Sequence, residues 1–162
     1  MEGKSVKGST VTVVQQMVQT DANLAGNVHG GVIMKLIDNT AGIVATRHSA
    51  NNAVTASIDR LDFHNPVYVG DLLKITASVN FTGKSSMEVG VRVEAENVIT
   101  GESRHTASAY LTFVALDSHG KTLAVPPLIL ESEIERRRNA EARERKRIRL
   151  AERVSEKESH NG

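Results

Sequence analysis

Cysteine and tryptophan are both missing from this chain of 162 residues. Without Cys there is no disulfide framework and no thiolate ligand for a metal, a composition compatible with a reducing compartment. Aromatic residues make up only 3% of the sequence, too few for a platform on which single-stranded bases stack. An excess of one charge is lacking too. Twenty Lys and Arg stand against 19 Asp and Glu, and the net charge of +1 gives no overall pull toward nucleic acid or a membrane surface. No apolar run reaches the roughly 18 residues that cross a bilayer. The opening stretch MEGKSVKGST has no apolar centre of the kind a secretory leader needs. Together these features give a cytoplasmic expectation with no nucleic-acid or membrane partner.

What remains is an ordinary globular composition, 40% hydrophobic and 24% charged, in a chain long enough for one core and an appendage. The stretch DANLAGNVHGGVIMKLIDNTAGIVATRH, from Asp21 to His48, is the most telling. Its Gly pair opens a helix expected over 30–47, with Val32, Ile33, Leu36, Ile37, Ile43 and Val44 spread round much of the circumference. A helix apolar on several sides is surrounded by the rest of its protein. Asp38 sits in the middle of it, on a stripe with Gly31, Met34, Ala41, Gly42 and Ala45. A carboxylate there is either well paired, with Lys35, Arg47 or a partner chain, or it does chemistry.

Strand signals surround this helix. Val11 to Val18 reads as a short strand before it. Val54 to Phe63 follows it, with alternation that breaks near Arg60 and Leu61 and predicts a bulge. Three segments then alternate cleanly: Leu73 to Phe81, Met87 to Ala95 and Ala107 to Ala115. Short turns at Thr82–Ser85 and Thr100–Gly101 imply antiparallel neighbours with one buried face. The fold class is therefore α+β, a long central helix wrapped by an antiparallel sheet. Beyond Pro126–Pro127 the composition turns to Glu and Arg. Opposite charges three or four apart predict an exposed helix over 131–158, resting on a neighbouring subunit. The domain division expected is 8–120 for the core and 121–162 for an extension with this charged helix.

Backbone N–H groups at Gly30 and Gly31, at the helix N-terminus, suit an oxygen carrying developing negative charge. Asn23 and Asn27 flank Gly26 in a turn, where Asn either shapes the backbone or orients a water. His29 is a potential acid–base group without an evident partner. The six His show no metal-ligand spacing, so no metal is expected. Thr82–Gly83–Lys84–Ser85 lacks most of a phosphate-binding loop and reads as a hairpin turn with Lys84 able to meet a phosphate.

The stretches DANLAGNVHGGVIMKLIDNTAG, ATRHS, DFHNPVYVGD, FTGKSSMEVGV, AEN followed by TGE, TASAYLTFVALD and VPPL, in this order over most of 10–128, resemble the hotdog-fold acyl-CoA thioesterases of the cytosolic acyl-CoA hydrolase group. The resemblance implies hydrolysis of acyl-CoA to a carboxylic acid and CoA, with no cofactor beyond the CoA of the substrate. It implies that Asp38 is the catalytic carboxylate, as general base or nucleophile, and that it works with Asn23 of a second subunit. It also implies dimers that share active sites, gathered as a trimer of dimers. Backbone at Gly30 and Gly31 would hold the oxyanion. Lys84, Ser85, Arg60 and His64 are the candidates for substrate contacts, although His64–Asn65–Pro66 departs from the family's pattern after Asp-Phe. Two alternatives on the same scaffold are a hydratase or dehydratase, which would draw on His29, and an acyl-CoA-binding regulator without catalysis.

Overall fold

A computed structural model describes residues 1–162. Its centre is helix α2, Gly30–Ser49. The buried residues Ile33, Ile37, Thr40, Ala41, Val44, Ala45 and His48 recur three or four apart, so one continuous stripe faces inward. The Thr40 hydroxyl lies on that stripe and donates to the Leu36 carbonyl at 2.7 Å, which satisfies its polarity inside the core.

Short elements precede α2: β1 (Lys4–Ser5), α1 (Val6–Ser9), the strand β2 (Val11–Gln16) and a 3-10 turn at Gln19–Asp21. Four long strands follow: β3 (Asn52–Phe63), β4 (Leu72–Thr82), β5 (Ser86–Glu96) and β6 (Ser103–Leu116). They form one five-stranded antiparallel sheet in the order β2-β4-β5-β6-β3, which leaves β2 and β3 as its edges. A last short strand, β7 (Leu128–Ile129), pairs with β1 in parallel and ties the two ends of the core together. The helix α3 (Glu133–His160) completes the chain.

The inner face of the sheet is the apolar half of the alternation. Leu73, Ile75, Ala77 and Val79 of β4, Met87, Val89, Val91, Val93 and Ala95 of β5, and Ala107, Ala109, Leu111, Phe113 and Ala115 of β6 are all buried against α2. Each large aliphatic side chain removed from water in this way contributes about 1.5–3 kcal/mol. This is the helix wrapped by a sheet that the sequence pattern predicts.

Three details differ from that pattern. The alternation in β4 ends one residue early, because a register shift between Val79 and Phe81 turns Phe81 away from the core. Arg143 and Lys146 of α3 lie over its ring instead, 5.4 and 5.1 Å from the centroid. The irregularity in β3 is double and sits earlier than Arg60–Leu61, with shifts between Thr55 and Ser57 and between Ile58 and Arg60. Finally, α3 does not wait for a neighbouring subunit. It packs on the outer face of its own sheet through a polar seam: Arg145 grips the buried Glu88 with two hydrogen bonds of 3.1 and 2.7 Å, and the Asn139 amide donates to the Asn80 carbonyl at 2.9 Å. The wet half of the strand pattern is thus covered by a helix whose cations match it.

Candidate active site

Asp38 is half-buried on α2, and its Oδ1 accepts a hydrogen bond of 2.7 Å from the hydroxyl of Thr55 on β3. No Lys or Arg pairs with it, so the partners Lys35 and Arg47 considered from the sequence are not used. Lys35 is exposed, and the Arg47 guanidinium donates to the Thr10 carbonyl at 3.3 Å. A carboxylate held by one neutral hydroxyl has acceptor positions left over for a further partner. It can orient and deprotonate a water, or attack a carbonyl itself.

The helix N-terminus is shaped by His29, the N-cap, whose Nδ1 accepts the Gly31 N–H at 2.9 Å. This bond occupies one of the two glycine donors singled out from the sequence. Gly30 N–H has no side-chain acceptor, and the ring of Phe63 from the end of β3 lies near its Cα. The missing Cβ at Gly30 therefore keeps an approach to that N–H open between helix and strand.

Asn23 lies in the tight turn before α2. Its N–H donates to the Asn27 carbonyl at 2.8 Å, and its Oδ1 accepts the Ala25 N–H at 3.0 Å. Gly26, with φ of 92°, closes this turn in a conformation that favours glycine. No hydrogen bond joins Asn23 to Asp38 within the protomer. The remaining candidates are scattered. Lys84 is exposed and Ser85 half-buried in the β4–β5 turn, at the end of the sheet where Asn52 and Leu116 pair. Arg60 forms a 2.6 Å surface ion pair with Asp62, and the exposed His64 stacks on His105 with centroids 4.8 Å apart, both toward the opposite end of the sheet. One protomer does not gather these four residues round one ligand.

Thr55 is the partner of Asp38 that sequence reasoning missed. A Thr in a strand is unremarkable, and only the fold places it against a carboxylate 17 residues away. No cluster of His, Asp or Glu stands ready for a metal. A cavity of about 450 Å³ opens on the far side of the sheet, under α3, among Lys74, Arg92, Arg138 and Arg145. It lies across the sheet from Asp38, which itself faces the open flank of the protomer.

That flank is apolar. Met34 of α2, and Ile58 and Phe63 on the inner face of the edge strand β3, are each exposed by 41% or more. Such a concentration of exposed aliphatic and aromatic surface beside a free sheet edge marks an interaction surface.

A family model described as thioesterase superfamily matches residues 25–102. The cytosolic acyl coenzyme A thioester hydrolase of Rattus norvegicus is 40% identical over 146 residues, which are 89% of this chain and 38% of the rat protein. The chain thus spans well under half the length of that relative. Among solved structures, an apo-hexameric acyl-CoA thioesterase superposes with a TM-score of 0.91 at 36% identity, covering 94% of this chain and 97% of that one. An acyl-CoA hydrolase of Staphylococcus aureus, solved with butyryl coenzyme A, coenzyme A and coenzyme A disulfide, has a TM-score of 0.88 at 36% identity, covering 96% and 95%. The Staphylococcus enzyme has also been solved with an Asn, an Asp and a Thr replaced by Ala, and those three follow one another at intervals of 15 and 17 residues.

Proposed function

The chain belongs to the hotdog-fold thioesterase superfamily, among its acyl-CoA thioester hydrolases, and from that premise we propose that it hydrolyses acyl-CoA to a free carboxylic acid and coenzyme A, with Asp38 as the catalytic carboxylate. The observation that carries the assignment is the Thr55–Asp38 hydrogen bond on the open flank of α2. Asn23, Asp38 and Thr55 are the same three residue types, in the same order and at the same intervals of 15 and 17, as those replaced in the Staphylococcus hydrolase.

The mechanism follows from the atoms. Thr55 fixes one carboxylate oxygen by donating to Oδ1, so Oδ2 is the one presented to a water. Asp38 takes a proton from that water as its oxygen bonds to the thioester carbonyl carbon. The charge that develops on the carbonyl oxygen is met by the positive end of α2, with Gly30 N–H as the free donor. Gly31 N–H joins it only when His29 releases its bond. The intermediate collapses by breaking the carbon–sulfur bond, and coenzyme A leaves as a thiolate, which asks little of a general acid. His29 is tied to Gly31 N–H and has no carboxylate partner, which removes the support for a hydratase.

The apolar flank and the free edge of β3 support a homo-oligomer in which a second protomer covers Asp38. Asn23 reaches a carboxylate only across such an interface, so each site is shared within a dimer. The similarity to a hexameric thioesterase supports a trimer of those dimers. Lys84, Ser85, Arg60 and His64, spread over two ends of one sheet, would converge on the nucleotide end of coenzyme A only by contribution from different protomers. The named cytosolic relative supports a cytoplasmic location.

The test is thiol release from a panel of acyl-CoAs of graded chain length, with the assembled wild-type protein and Asp38→Asn. Wild type should release free thiol without enoyl product, while Asp38→Asn should lose at least about 100-fold in kcat and keep its assembly. Near-normal turnover by that variant would defeat the mechanism.

A further inference from the structure

The strand that presents Thr55 to Asp38 is irregular. Between Thr55 and Arg60, β3 carries two register shifts against β6, at Ala56 and at Asp59. A strand with two bulges in so short a span has lost the simple alternation that sets register, and a slip of one residue would turn every following side chain to the other face. Something must hold the second bulge in place.

The holder comes from the far end of the chain. Arg149 of α3 donates to Asp59 Oδ2 at 2.6 Å and to the Thr112 hydroxyl of β6 at 3.0 Å. That hydroxyl in turn donates to Asp59 Oδ2 at 3.4 Å, and Ser57 donates to Asp59 Oδ1 at 3.2 Å. The side chains of Arg149 and Asp59 are only 17% and 15% exposed, so the pair is sheltered from solvent screening. One turn earlier, Arg145 is fixed by Glu88 and stacks 3.7 Å above the Tyr110 ring, which sets where the α3 backbone runs. Arg149 therefore acts from a fixed support, and Asp59 is the residue it fixes.

We propose that Arg149 is a positioning residue for the active site: by clamping Asp59 and Thr112 it holds the double bulge of β3 and so aims the Thr55 hydroxyl at Asp38. The C-terminal helix thereby becomes part of the catalytic apparatus without touching substrate. The proposal rests on the reading of Asp38 and Thr55 as site residues, and the experiment separates its failure from the failure of that reading.

Arg149→Gln and the surface control Arg147→Gln, whose guanidinium pairs with Glu144 on the solvent face of α3, are compared in the full-length, assembled protein. Two readouts are taken: steady-state thiol release and amide hydrogen exchange over residues 53–60. The clamp requires Arg149→Gln to lower kcat by about tenfold at unchanged KM, with Arg149→Lys restoring part of it, and to speed exchange over 53–60. The same substitution made in a Thr55→Val background should cost nothing further, because the residue acts through that hydroxyl. Wild-type kcat in Arg149→Gln, or an equal further loss in the Thr55→Val background, overturns the proposal. If wild type released no thiol from any acyl-CoA, the functional reading would fall alone. Unchanged exchange over 53–60 in Arg149→Gln would then still overturn the clamp, and faster exchange would uphold it.

Discussion

Polar side chains in this protein differ in how plainly the sequence announces them. Asp38 was legible in the sequence because a carboxylate inside an apolar helix is anomalous. Thr55, its hydrogen-bond donor, was not, because Thr is at home in any strand. His48 is a third case, fully buried at the end of α2. Its Nε2 faces the Pro126 carbonyl at 3.0 Å and must donate, so Nδ1 accepts from the Ser9 hydroxyl at 3.3 Å. The ring thus pins the N-terminal segment and the 126 loop to α2 as a neutral imidazole. Burial holds its pKa below the ordinary 6.5; the Pro126 carbonyl pulls the other way, and the Lys4 ammonium adds to the lowering. The unfolded chain therefore binds this proton more readily than the folded one. Stability from His48 is complete above the ordinary value of 6.5 and is lost as pH falls from there toward the depressed folded value. Urea midpoints measured from pH 7.5 down to 5 should fall for wild type and fall less for His48→Gln. Parallel profiles would show that the ring does not carry the acid sensitivity.

At the scale of elements, α2 and the three alternating strands were readable because burial follows a period. What periodicity cannot tell is which polar face another element covers. Glu88 and Asn80 sit on the outward half of the alternation, as predicted, yet both are buried under α3. A signal was present in the helix itself: Asn139, Ala142, Arg145 and Arg149 recur three or four apart on one side of it. The dense Glu–Arg pairing of the solvent face, such as Arg147 with Glu144, masked that stripe. The Glu88–Arg145 pair makes the consequence measurable. Burial works against the charge of Arg145, and its hydrogen bonds to Glu88 outweigh that and raise its pKa. Arg145→Met would leave a buried carboxylate with only the Asn80 amide at 3.1 Å. Loss of about 2–4 kcal/mol is expected, somewhat reduced by the partial exposure of Arg145. Adding Glu88→Gln removes the stranded charge, keeps an acceptor for Asn80 and should recover most of that loss. Thermal or urea unfolding at fixed protein concentration decides it. A double variant as unstable as the single one would place the cost in lost helix packing rather than in the charge.

On the proposed reading, a single protomer carries only part of the site. Asp38 and Thr55 meet within the chain, while Asn23 turns back on its own loop and the flank beside Asp38 stays apolar and open. No periodicity in a sequence reports a contact between copies, so the proposal that Asn23 of a second chain completes the site comes only from family resemblance. Subunit mixing tests it directly. Asp38→Asn and Asn23→Ala are each expected to be inactive alone, because every site in either homodimer lacks one member. Random reassociation at equal concentration puts about half of the protein into mixed dimers. In each mixed dimer one site joins the intact Asp38 of the first chain to the intact Asn23 of the second, and the other site lacks both. Mixing should therefore restore about a quarter of wild-type thiol release, growing in at the rate of subunit exchange rather than at once. Exchange is followed separately with two distinguishable tags. Complete exchange without recovered activity would place Asn23 and Asp38 in the same protomer's site, and the flank of α2 and β3 would then need another explanation for its exposed apolar surface.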